Sequence, residues 1–200
     1  MWGIGQDGVF PAAKLAERLK AGDKARFTVD GQQALDTPYL ATERLLPIYS
    51  YKYGTDGFEF WGGTWWTLNP WMRGWHTYIP QTDNGKDYYY IRYPDGDGYL
   101  FYPGKDVGLD VPVASLRAKA VREGSEDYEY YLLLDKEIRD ARQRGVDVSA
   151  GEAALNAVRD LVTIPNAGGL RSTEIMKDPD AIYRVRQQVA EQILRLRRPE

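Results

Sequence analysis

Cysteine is absent from this 200-residue chain and histidine occurs once. The first absence excludes a disulfide framework and thiolate chemistry. The second excludes a metal site built on two or three histidines, and any Ser-His-Asp triad would have to run through His76. No Gly-x-Ser-x-Gly elbow accompanies it. A lone histidine beside a tryptophan in a loop reads as a surface or ligand-contact residue rather than a base. Neither Gly-rich stretch has the spacing of a P-loop or a dinucleotide fingerprint. Basic residues (26) do not exceed acidic ones (29) and form no block, so nothing in the charge invites nucleic acid as a partner. No apolar run reaches the roughly 20 residues of a membrane span. The N-terminus, MWGIGQDGVF, lacks the basic start and apolar core of a signal peptide. If the chain is a piece of a longer protein, that says nothing about export of the parent.

What is abundant is aromatic surface, and it is unevenly placed. Of 26 aromatic residues, 18 fall between Tyr49 and Tyr102, which marks either a local site or a local core. Around them the pattern is α/β. Pro11–Ala21 reads as a helix with proline in its first turn and Gly22 as its stop. Lys24–Val29 alternates Ala25, Phe27 and Val29 on one face, as a strand does. Asp30–Pro38 is a loop. Thr42–Tyr53 is a helix carrying Pro47, which should kink or break it, and Asp56–Trp61 is again a strand. Helix, strand, loop, helix, strand is the alternation that yields a parallel sheet. Gly62–Lys86 holds no period and is too tryptophan-rich for a linker. Tyr88–Tyr93 and Tyr99–Tyr102, separated by Pro94-Asp95-Gly96-Asp97-Gly98, carry a hairpin signal.

Beyond Pro112 the chain is helical. One helix is expected near Val113–Glu123, with a break at Gly124. A second runs from Ser125 to about Arg144, and a third opens on the capping box Ser149-x-x-Glu152. The third helix has a stripe of Ala154, Leu155, Val158, Leu161 and Val162. The last begins at Asp178-Pro179 and turns Ile182, Val185, Val189, Ile193 and Leu196 to one side. There are no internal repeats.

Three segments carry a resemblance: TERLLPIYSYKYGTDGFEFWGGTWW (42–66), DGYLFYPG (97–104) and SLRAKAVREGSEDYEYYLLL (115–134). In order and spacing, over roughly residues 14–135, they resemble the C-terminal part of the glycoside hydrolase family 123 catalytic domain. That resemblance implies that residues 1–135 are the last two βα units of a (β/α)8 barrel with its aromatic loop and β-hairpin, followed over residues 136–200 by a helical extension packing on it. It implies a β-N-acetylgalactosaminidase-like enzyme that removes a terminal β-linked amino sugar from a glycan or glycolipid. Hydrolysis in this family is substrate-assisted and retaining, and requires no metal or other cofactor. The family uses an adjacent Asp-Glu pair on a middle barrel strand, the aspartate orienting the substrate acetamido group and the glutamate serving as acid/base. This chain contains no Asp-Glu dipeptide. The pair is therefore expected upstream of Met1, the chain is expected to be an incomplete barrel, and alone it should be inactive.

Binding residues are the better prospect. Sugar rings present flat faces of C–H groups, which an indole matches with a broad apolar surface and one N–H donor. Trp61, Trp65, Trp66 and Trp71 follow the C-terminal end of a strand, where barrel active sites lie. One or two of them are expected to touch substrate, and the rest to pack. Asp30 and Gln32, just past the preceding strand, are equally substrate contacts or turn residues. Glu59 is an outside candidate for a catalytic acid, and more simply a barrel-interior glutamate paired with an arginine or lysine. Arg117, Arg122, Glu123, Glu126, Asp127 and Glu129 read as structural ion pairs. The alternative function is a non-catalytic carbohydrate-binding module built on the tryptophan loop.

Overall fold

A computed structural model describes residues 2–4, 12–29, 41–60, 62–64, 66, 69–71, 76–80, 88–92, 98–163 and 178–197. Its centre is a parallel sheet of β1 (Trp2–Ile4), β2 (Ala25–Val29) and β3 (Gly57–Phe60), in the order β1-β2-β3. Two helices make the crossovers, α1 (Ala12–Lys20) and α2 (Ala41–Tyr53). A sequential order with right-handed crossovers puts successive helices on one face of the sheet. α2 accordingly packs on β2 and β3, with α1 and the long helix α3 (Leu116–Gln143) beside it. The third strand, β1, was not expected from the sequence. Trp2–Ile4 is too short to show a period, and its pairing to Ala25–Phe27 is a tertiary fact.

The two faces of the sheet differ. Ala25 and Phe27 are buried towards the helices, and the Phe27 ring lies 5.6 Å from that of Tyr49 and 6.2 Å from that of Tyr53. Phe58 and Phe60 pack on the same core. The opposite face carries Arg26 and Glu59, paired at 3.1 Å and each more than a third exposed.

The helical remainder adds α4 (Ser149–Asp160) and α5 (Asp180–Arg197), which pack on α3 and on each other. Every expected core residue of α5 is buried: Ile182, Val185, Val189, Ile193 and Leu196. So are Ala154, Leu155, Val158, Leu161 and Val162, and all join one cluster with Phe27, Leu45 and Ile48. None of the described helices is long and apolar enough to cross a membrane.

Four local expectations are corrected. The helix does not break at Gly124, since α3 runs unbroken from Leu116 to Gln143 with Ser115 as its cap. Gly124 serves packing instead, because a Cβ there would stand 2.6 Å from the Arg44 carbonyl and 3.1 Å from Pro47 Cγ. Val113–Ala114 is strand β7, paired antiparallel with β6 (Phe101–Tyr102). The Tyr88–Arg92 strand, β5, pairs with β4 (His76–Pro80) and not with Tyr99–Tyr102. The turn at 93–97 lies outside the described residues. The capping box at Ser149 is also replaced: the Ser149 amide and hydroxyl both donate to the Asp147 carboxylate, and Glu152 pairs with Arg142.

Candidate functional site

β3 ends at Phe60, and the chain leaves its C-terminal end into the tryptophan loop. The described part of that loop is fastened to the strand pair β6–β7. Leu100 and Phe101 donate their amides to the Gly63 carbonyl at 2.9 and 3.0 Å, and Thr64 forms a bridge with Tyr99. Gly62 lies so close that a Cβ would meet the Gly98 Cα at 3.1 Å. The Trp66 indole donates to the Phe101 carbonyl and the Trp71 indole to the Pro103 carbonyl, each at 2.9 Å. Asn69 accepts from the Trp71 amide and donates to Asp106, which fixes the turn between the two tryptophans.

Held by their nitrogens, the two side chains remain exposed, Trp66 to 39% and Trp71 to 45%. Tyr102 lies against Trp71 with ring centroids 4.8 Å apart. Beneath it sits Arg117, at 1% exposure one of the most deeply buried side chains. Its Nε and Nη2 donate to the Tyr99 carbonyl at 3.1 and 2.9 Å, and Nη2 also donates to the Tyr102 hydroxyl at 2.8 Å. The guanidinium carbon lies 5.7 Å from the Tyr102 ring centroid. Alternate carbonyls along this segment (99, 101 and 103) thus each receive a side-chain donor. Sequence reasoning named Trp66 and Trp71 as candidates, but placed neither Tyr102 against Trp71 nor Arg117 beneath it. Tyr102 read as one more strand tyrosine, and only the fold brings helix α3 beneath it.

Of the other candidates, Asp30, Gln32, Trp61 and Trp65 lie outside the described residues. His76 opens β4, and its side chain lies outside them too. Glu59 stands on β3 with an ion pair to Arg26 on β2, the simpler of its two expected roles. Its side chain is 44% exposed, and Phe58 and Phe60 face the other way.

The charge pattern of α3 joins three helices. Asp127, fully buried, takes the Arg44 guanidinium of α2 at 2.5 Å and lies 3.1 Å from Arg186 of α5. Arg186 also pairs with Glu123 at 3.1 Å, and Arg122 bridges Glu123 and Glu126. Burial pushes the Asp127 carboxyl up from its ordinary value, with the charge of Arg44 opposing. Hydrogen bonds from Arg186 and then Arg122 hold Glu123 below its ordinary value. Burial, with the Asp127 charge, also pushes the Tyr131 hydroxyl up.

The stretch that holds α2, β3, the tryptophan loop and most of α3 is matched by a family description. The model for the glycoside hydrolase 123 catalytic domain covers residues 30–134, more than half of the chain. The chain belongs to glycoside hydrolase family 123. Among solved structures, a family 123 glycoside hydrolase from Clostridium perfringens, studied for glycolipid glycan hydrolysis, aligns with a TM-score of 0.56 at 16% identity. The alignment takes in 97% of this chain and 32% of that one, so the family 123 chain described here spans about a third of the enzyme it resembles. At that identity the likeness speaks for the fold. No curated protein sequence matches the chain.

Proposed function

We propose that this glycoside hydrolase chain is the C-terminal part of a (β/α)8 catalytic domain that releases a terminal β-linked N-acetylgalactosamine or a closely related amino sugar from a glycan or glycolipid. The observation that carries this reading is the family match over residues 30–134, which takes in α2, β3 and the tryptophan loop at the C-terminal end of that strand. The sequential strand order, with helices on one face and the Arg26–Glu59 pair on the other, is what an arc of such a barrel presents. The Clostridium perfringens relative, studied on glycolipid glycans, supports the substrate class.

In this reading the substrate's own acetamido oxygen attacks the anomeric carbon while an acid protonates the leaving oxygen. Water then opens the cyclic intermediate with overall retention. The Asp-Glu pair for these steps belongs to parts of the domain beyond the present 200 residues, which contain no such dipeptide. These residues contribute the binding wall: Trp66 and Trp71 by their exposed side chains, with Trp61, Trp65, Asp30 and Gln32 as further contacts. The complete protein, given an aryl β-N-acetylgalactosaminide and followed by NMR, should release the β-anomer first and be unaffected by chelators. Release of the α-anomer, loss of turnover on chelation, or failure to cleave any β-N-acetylhexosaminide would overturn the reading.

A further inference from the structure

Both described indoles have their N–H groups committed to backbone carbonyls, Trp66 to Phe101 and Trp71 to Pro103. A sugar laid on either ring therefore meets a purely apolar surface. Stacking alone leaves the hydroxyl and acetamido groups of a pyranoside without partners as water is expelled, which is costly unless the protein supplies hydrogen bonds. A donor at hand among the described residues is Tyr102, whose ring lies 4.8 Å from that of Trp71.

The state of that hydroxyl is set from below. It accepts a hydrogen bond from Arg117 Nη2 at 2.8 Å, and no second partner occurs among the described residues. A guanidinium has only donors to offer, so this bond fixes the phenol oxygen as acceptor and leaves its own proton to point elsewhere. Arg117 is itself immobilised, buried to 1% exposure and forked onto the Tyr99 carbonyl through Nε and Nη2. Resting on the reading that the tryptophan loop receives sugar, we propose that Tyr102 is a substrate-binding residue. It donates its hydroxyl proton to a ring hydroxyl or acetamido oxygen of a pyranoside stacked on Trp71, and Arg117 is the positioning residue that fixes its direction.

The test uses the complete protein and methyl β-N-acetylgalactosaminide, titrated by calorimetry. Tyr102→Phe removes one hydroxyl from a half-buried ring and should weaken binding about tenfold, with the melting temperature within about 2 °C of wild type. Arg117→Lys keeps the charge but loses the fork. Its effect on affinity should be smaller when Tyr102 is already phenylalanine, a coupling that a merely structural arginine would not show. Should Arg117→Lys fail to fold, the side-chain resonances of isotope-labelled Tyr102 in the intact protein carry the test, shifting as the sugar is added. Unchanged affinity in Tyr102→Phe, with Trp71→Ala still losing it, overturns this inference and leaves the site reading standing. Unchanged affinity in both variants, with hydrolysis intact, removes the tryptophan loop itself from the sugar site.

Discussion

Asp127→Asn is the most informative single change for the fold. The carboxylate is fully buried, its Oδ2 lies 2.5 Å from Arg44 Nη2, and Arg44 is only 7% exposed. Asparagine keeps the shape and removes the charge, so the perturbation is electrostatic and not a cavity. Removing one partner of a buried pair leaves the other as an uncompensated buried charge, at a typical cost of about 3–5 kcal/mol. Two features argue for the lower end. Burial already pushes the Asp127 carboxyl up, so part of the attraction is offset in the native state, and Arg186 retains Glu123 when Asp127 is neutralised. For a chain of 200 residues the entropy of unfolding is about 0.4 kcal/mol per degree, so a loss of about 3 kcal/mol lowers the melting temperature by roughly 7 °C. Thermal melting by circular dichroism reads this directly. The partner experiment is Arg44→Met with Asp127→Leu, which removes both charges and should recover most of the loss. A drop of under about 2 °C for Asp127→Asn, or a double variant no better than the single, would refute the argument that this pair is desolvated and mutually dependent.

Other outcomes follow from the same geometry. Gly124→Ala should destabilise despite alanine's helix preference of about 1 kcal/mol, because the new methyl meets the Arg44 carbonyl at 2.6 Å and overpacking costs about 1–3 kcal/mol. A rise in denaturant midpoint would show that α2 and α3 separate freely. Glu123 has a folded pKa below its unfolded one, so its contribution exists above the ordinary value of 4.5 and fades as pH falls through the depressed folded value. The melting gap between wild type and Glu123→Gln should thus be present at pH 7 and close in acid; a gap independent of pH counts against the Arg186 and Arg122 hydrogen bonds. Purified on its own, the 200-residue chain should cleave no aryl β-N-acetylhexosaminide in a fluorogenic assay, and turnover abolished by Glu59→Gln would make Glu59 the acid.

The helices and two of the three parallel strands were legible because their signals are local. Period and stop residues gave α1, β2, α2, β3 and the full stripe of α5. Misreadings arose where a local signal met a partner distant in sequence. Gly124 looks like a breaker until α2 is seen to need the space of its missing side chain. Tyr88–Arg92 and Phe101–Tyr102 flank a strong turn signal, yet each finds its mate on its other side, at His76–Pro80 and Val113–Ala114. Ser149 and Glu152 satisfy a capping pattern, but the Asp147 carboxylate reaches the Ser149 amide first. At the site, tryptophan enrichment revealed the loop, whereas Tyr102 and Arg117 acquire meaning only through the packing of α3.

The fastening of the aromatic loop bears on how such a protein can change. Trp66, Trp71 and Arg117 grip the main-chain oxygens of residues 101, 103 and 99, and Gly63 receives main-chain amides in return. Backbone groups are the same whatever side chain they carry. Phe101 and Pro103 can therefore drift to many other residues without unseating either indole. Inserting or deleting one residue between 99 and 103 would shift the carbonyls out of phase with their donors and unseat the loop at once. The aromatic wall is tolerant of substitution and intolerant of changes in length.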